Sequence, residues 1–170
     1  MKRQFVIILE GPMGAGKTTI SSLLHARLPR TALLGMDKIK WFLSDFQRDK
    51  DYDIISKAML AMGKSFLEQG CNLLIEQAFW KKEYAQPYID MADESKADLH
   101  FYQLEAPIEV LTERAKIRPN TPGKPLVTKE RIEENLKKWQ ENRYDFGKVL
   151  DTMKYSPEEI VGLIIQDLKI

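Results

Sequence analysis

The sequence predicts an α/β fold: a mostly parallel sheet of about five strands in the middle layer of three, with helices on both faces. Three observations predict it. Short apolar runs alternate with helix-period stretches along the whole chain, the pattern of strand–helix–strand units. The first run, Phe5-Val6-Ile7-Ile8-Leu9, is apolar throughout, as a strand buried on both faces must be. No internal repeat, low-complexity tract or linker interrupts the alternation. At 170 residues, against roughly 150 per domain, the chain reads as a single domain over 1–170.

Residues 4–9 are read as the first strand. Residues 16–28 place Ile20, Leu23, Leu24 and Leu28 on one stripe of a helix. Residues 31–34 give a second strand. Apolar residues at Ile55, Met59, Met62 and Phe66 predict a helix over 53–69, stopped by Gly70. Residues 72–75 form a short buried strand, and 81–95 the next helix. Residues 99–104 are a fourth strand. Pro107 suits the first position of the following helix, where its missing N–H costs nothing, and Pro119 ends it. Residues 119–127 hold three prolines and a glycine and read as a loop. Thr128 caps a charged helix reaching about Asn142. Val149-Leu150 is a weak fifth strand. Ser156-Pro157-Glu158-Glu159 has capping-box spacing and opens a helix that buries Ile160, Leu163, Ile164 and Leu168.

Composition closes off several classes of function. Hydrophobic residues make up 44% and charged residues 30%, an ordinary balance for a packed domain. Lys and Arg number 26 against 25 Asp and Glu, so no global basic field draws the chain to nucleic acid or to a membrane surface. One cysteine, Cys71, excludes an internal disulfide, and with only His25 and His100 beside it a Cys/His zinc site is excluded in practice. The longest N-terminal apolar run is five residues, against roughly 7–15 for a signal peptide and about 20 for a membrane helix. The expectation is a cytoplasmic protein with no membrane partner.

The strongest local signal is Gly11-Pro12-Met13-Gly14-Ala15-Gly16-Lys17-Thr18, which fits G-x-x-x-x-G-K-[ST] between a hydrophobic strand and a helix. Glycines let the backbone curl so that its N–H groups face phosphate oxygens, and the helix N-terminus adds positive partial charge. Lys17 is placed to neutralise the β- and γ-phosphates, and the Thr18 hydroxyl to ligate Mg²⁺. Residues 11–19, through Thr19, are the expected nucleotide-binding set, with ATP and Mg²⁺ as cofactors. The Asn/Thr-Lys-x-Asp string that reads guanine in switch GTPases is missing: the nearest match, Thr128-Lys129-Glu130-Arg131, lacks the Asp and begins a helix. Large ring ATPases need a lid domain for which this chain has no room. Asp145-Phe146-Gly147 matches the protein-kinase metal motif without any companion and is read as coincidence.

Three further features resemble the small P-loop kinases, over nearly the whole chain. That group includes shikimate and gluconate kinases, adenylate kinases, chloramphenicol phosphotransferase, polynucleotide 5′-kinases and zeta-type toxins. The first is Thr31-Ala-Leu-Leu-Gly-Met-Asp37, similar to their second strand, which ends in an Asp facing the acceptor hydroxyl. Asp37-Lys38-Ile39-Lys40 also looks like the Asp-x-x-Arg of polynucleotide kinases, with Lys40 in the Arg position. Asp37 could equally cap a helix over 38–46. The second is Asn72-Leu-Leu-Ile-Glu76, a strand ending in an acid that resembles the Walker-B carboxylate on Mg²⁺. Behind it, Phe79 and Trp80 either line the acceptor pocket or belong to the core. The third is Arg114-Ala-Lys-Ile-Arg118 before the Pro-rich loop, similar to the lid of these kinases. Residues four apart share a helix face. The resemblance implies Arg114 against adenine and Arg118 on the transferring phosphoryl, in a mobile lid over about 114–128. It also sets Asp151-Thr152 beside the adenine.

Together these imply a nucleoside-kinase-like P-loop NTPase fold and a Mg²⁺-ATP-dependent phosphotransferase. Lys17, Asp37 and Arg118 would be catalytic, Thr18 and Glu76 on the metal, and the acceptor a small hydroxyl-bearing molecule. Two alternatives remain: a polynucleotide 5′-hydroxyl kinase and a non-catalytic nucleotide-binding regulator. The first needs a basic path, and Arg114, Lys116, Arg118, Lys124, Lys129 and Arg131 cluster. Nucleic acid is nevertheless the less favoured partner, because ATP accounts for much of that cluster.

Overall fold

The computed structural model describes residues 3–79, 81–117 and 128–169. Trp80, Arg118 and the Pro-rich stretch with Lys124 lie outside the described residues, and so does the greater part of the expected lid. Among the described residues the elements alternate as the sequence pattern requires. They run β1 (Phe5–Glu10), α1 (Lys17–Arg27), β2 (Thr31–Gly35), α2 (Met36–Ile39), α3 (Arg48–Glu68), β3 (Asn72–Glu76) and α4 (Gln86–Glu94). They continue with β4 (Asp98–Glu105), α5 (Ile108–Lys116), α6 (Lys129–Glu141), β5 (Lys148–Asp151) and α7 (Pro157–Asp167).

The five strands form one sheet in the order β2-β3-β1-β4-β5, and every pairing is parallel. β1 is central and all six of its residues are buried, which is why residues 5–9 are apolar without alternation. Successive side chains of β1 enter opposite layers. Ile7 and Leu9 pack with Ile20 and Leu24 of α1, Leu111 of α5, Leu136 of α6 and Ile160 of α7. Val6 and Ile8 pack with Ile55 and Met59 of α3 and Tyr88 and Met91 of α4. The result is three layers around two apolar cores, one on each face of the sheet.

Several boundaries differ from the sequence expectation for identifiable reasons. α3 begins at Arg48 rather than Asp53, since the Asp51 carboxylate accepts the Gln47 N–H at 2.7 Å and closes the first turn there. The 81–95 helix is split into a 3₁₀ turn at Lys82–Tyr84 and α4, with Pro87 in the first turn of α4, where a missing N–H is harmless. Asp37 is not a helix cap: Gly35 holds that position, α2 starts at Met36 and ends at Ile39, and a 3₁₀ turn covers Lys40–Phe42. Phe66 and Leu163, expected in the core, are about two-fifths exposed. The capping box of α7 forms as read, with Ser156 Oγ accepting from Glu159 N–H and Glu159 bonding back to Ser156 N–H. Asp145-Phe146-Gly147 is a turn into β5, where Phe146 packs on Phe101 and Tyr144.

Candidate active site

The parallel register brings the C-terminal ends of the central strands to one level: Leu9 lies opposite Glu76, and Glu76 opposite Gly35. The chain leaves this edge through the phosphate loop after β1, through α2 after β2 and through residues 77–79 after β3. Ligands of open parallel sheets bind at this edge.

The loop of residues 11–16 wraps the N-terminus of α1. Gly16 occupies its N-cap in the left-handed region, at φ 88°, which a side chain would strain. Gly14, also left-handed, brings the loop against the Leu111 carbonyl of α5, in the space a Cβ would fill. Lys17 is partly buried and its Nζ donates to the carbonyls of Gly11 at 2.7 Å and Pro12 at 3.0 Å, so the ammonium is folded over the loop. The Thr18 hydroxyl donates to Glu76 Oε1 at 2.6 Å, Ser21 donates to Oε2, and Lys38 lies 3.7 Å from the same carboxylate. By strand alternation Glu76 faces α1, as Leu74 does. The structure therefore brings together the hydroxyl and the acid that the sequence expectation assigns to one metal ion.

A cleft of about 380 Å³ opens beside the loop. Its walls include Gly14, Gly16, Thr18 and Thr19 on one side and Arg114, Thr152 and Tyr155 on the other. Arg114 does not pair with Glu109 or Glu113. Its guanidinium donates to Thr152 Oγ1 at 2.8 Å and to the Thr152 carbonyl at 3.1 Å, which fixes it to the turn after β5. Lys116, not Arg114, holds Glu113, at 2.7 Å. The acid at the end of the second strand behaves differently from Glu76. The Asp37 side chain is 71% exposed and is ion-paired with Lys40, which is itself buried and lies over the Trp41 ring at 5.1 Å. Phe79 belongs to the core, packed on Tyr88 and Tyr144. Trp41 and Phe42 stay exposed near Asp37.

Three residues of this edge were not singled out in the sequence. Ser21 lies three positions after Thr18 on the same face of α1, a spacing that was readable. Glu10 ends β1 directly before the loop and is 1% exposed. Burial pushes its carboxyl up to about 7, partly opposed by the Lys17 charge and by the Trp139 indole, which donates to Oε2 at 3.4 Å. An acid closing an apolar run was a visible signal, the same one that marked Glu76. Asn135 of α6 accepts the Met13 N–H at 2.8 Å, and no sequence pattern announces it. Among the described residues no three His, Cys, Asp or Glu side chains cluster as a ready metal site. No helix among them is long and apolar enough to cross a membrane.

A parallel five-stranded sheet with a phosphate loop after its central strand defines a P-loop kinase-like domain. The chain belongs to the AAA domain family, whose model matches residues 6–142. Solved structures share the fold at low identity. A chain of the Pnkp1/Rnl/Hen1 RNA repair complex has a TM-score of 0.71 at 22% identity, over 86% of this chain and 48% of that one. A putative kinase from Chloroflexus aurantiacus has a TM-score of 0.70 at 19% identity, over 99% and 98%. A sugar kinase from Janibacter sp. has a TM-score of 0.69 at 16% identity, over 98% and 95%. None of the curated proteins compared with the chain matches it.

Proposed function

We propose that the protein is a Mg²⁺-ATP-dependent phosphotransferase that moves the γ-phosphoryl group to a hydroxyl of a small molecule. The observation that carries this reading is the contact of Thr18 with Glu76 at the mouth of the phosphate loop, one strand away from Asp37. A hydroxyl and a carboxylate side by side are an oxygen donor set that fits Mg²⁺, which takes few protein ligands beside phosphate oxygens and water. Bound there, the ion would neutralise charge on the β- and γ-phosphates.

The remaining roles are assigned on the resemblance, and the positions of the described side chains support them. Residues 11–19 cradle the phosphates, with Lys17 supplying charge from within the loop. Arg114, held by Thr152 on the far wall of the cleft, packs against the adenine. Asp37, at the edge beyond β2, aligns the acceptor hydroxyl and takes its proton. Arg118, which lies outside the described residues, keeps the role that the resemblance implies for it, on the transferring phosphoryl. Chemistry of this kind is positioning and charge neutralisation, with little covalent work for the protein. A kinase drawing on ATP works where ATP is, and we place it in the cytoplasm.

Charge pairing favours a small acceptor over a nucleic-acid end. Within the basic cluster, Lys116 is held by Glu113 and Lys129 lies 3.6 Å from Glu133. A strand-binding kinase needs several cations for backbone phosphates, each adding to a salt-dependent affinity. The test is incubation with γ-labelled ATP and two sets of acceptors. One set is nucleosides, sugars and aminoglycoside- or amphenicol-type antibiotics; the other is 5′-hydroxyl DNA and RNA oligonucleotides. Label on a small molecule supports the reading. Label on oligonucleotides, weakening steeply as salt rises, replaces it with a polynucleotide kinase.

A further inference from the structure

Helix α6 reaches the phosphate loop at a point that none of these roles uses. Asn135 lies mid-helix and is 5% exposed, and its Oδ1 accepts the backbone N–H of Met13 at 2.8 Å, across 122 positions of sequence. One turn on, the Trp139 indole N–H donates to Glu10 at 3.4 Å. A spacing of four puts both side chains on one face of the helix. The two bonds bracket the start of the loop: Glu10 precedes Gly11, and Met13 follows Pro12. The helix behind them is well anchored, since Ile132 and Leu136 are buried in the same core as Leu111 and Ala115.

We infer that Asn135 is a positioning residue of the phosphate loop: it holds the Met13 amide and so sets the course of the loop from Gly14 to Thr18. The inference rests on the reading of that loop as the nucleotide site. Its physical basis is the cost of an unmatched donor. A backbone N–H without a partner in a partly buried loop favours any rearrangement that pairs it. The Asn135 carbonyl removes that incentive and keeps the loop in one conformation before ATP arrives. Preorganised donors lose less on binding than donors that must first be ordered. Trp139 performs a similar service at Glu10, and α6, packed beside α5 in the same core, becomes a rigid post for the loop.

The test uses the full chain with Asn135→Leu, which keeps the number and branching of side-chain heavy atoms and removes the acceptor, and with Asn135→Ala as a second variant should the first fold poorly. Ile132→Val is the control: it trims the same helix's core contact and leaves the Asn135–Met13 bond in place. Calorimetry with MgATP and amide exchange at Met13 are measured in each. In either Asn135 variant the Met13 amide is expected to exchange at least about tenfold faster and the Kd for MgATP to rise about tenfold. Ile132→Val is expected to lower Tm and change neither. Wild-type affinity and protection in a folded Asn135 variant overturn the inference, as does an equal loss of affinity in Ile132→Val, which would make α6 a structural support only. Absence of MgATP binding by the wild type removes the nucleotide reading and the inference together, whereas wild-type binding with unaffected variants removes the inference alone.

Discussion

The Thr18 hydroxyl donates to Oε1 of Glu76 at 2.6 Å, although the two residues are 58 positions apart. Thr18 is in the first turn of α1 and Glu76 ends β3, so the contact exists only because β3 pairs with β1 in a register that sets Glu76 opposite Leu9. Ser21, one turn further along α1, donates to the other carboxylate oxygen. Both oxygens of Glu76 are therefore aimed at the helix that carries the phosphate loop.

The proposed function makes Glu76 a metal-side acid. Glu76→Gln is expected to weaken ATP binding about tenfold in the presence of Mg²⁺ and to leave the weaker binding in EDTA nearly unchanged, since only the metal-bound complex uses the carboxylate. Paired calorimetric titrations check it. Equal losses with and without Mg²⁺ would show that Glu76 merely braces Thr18 and Ser21.

Asp37 is assigned to the acceptor. Asp37→Asn is expected to bind MgATP as the wild type does and to phosphorylate its acceptor about 10²–10⁴-fold more slowly, the range of a positioned acid–base group. Rates with γ-labelled ATP, together with calorimetry, separate the two effects. Near-full turnover with a lower melting temperature would reduce Asp37 to the partner of Lys40.

Glu10 ties stability to pH. Its carboxyl is pushed by burial from an ordinary 4.5 up to about 7. Between those values the folded protein binds a proton that the unfolded chain has released, so stability falls as pH rises through this window and levels off above about 7. The full shift corresponds to roughly 3 kcal/mol. Glu10→Gln, which stays neutral, is expected to raise Tm more at pH 8 than at pH 5. Thermal unfolding of both proteins across this range checks it, and an equal change at both pH values contradicts the assignment.

The sheet was legible because residues 5–9 of β1 and 73–75 of β3 are apolar throughout, and the phosphate loop because its glycines, Lys17 and Thr18 fall within the eight residues 11–18. Glu76 was legible for the same local reason, an acid at the end of a strand. What stayed hidden was long-range or set by one side chain. The Met13–Asn135 bond depends on how α6 packs against the loop, and an Asn within a charged helix carries no mark of it. Phe66 and Leu163 fit the helical period yet stand at the rim of their stripes, and period alone does not give the width of the buried face. The early start of α3 came from Asp51 bonding back to Gln47, a local closure that apolar spacing does not report.

The central claim is that residues 11–18 hold the phosphates of ATP through Lys17. It is tested most directly by calorimetric titration of MgATP into the wild type and into Lys17→Ala, with the fold of each checked by circular dichroism. Lys17 bonds to the loop's own carbonyls of Gly11 and Pro12 and takes no part in either apolar core, so the variant is expected to fold. Saturable binding by the wild type, lost or weakened at least about a hundredfold in a folded Lys17→Ala, is the expected result. Equal affinity in both proteins, or no binding by the wild type, contradicts the claim.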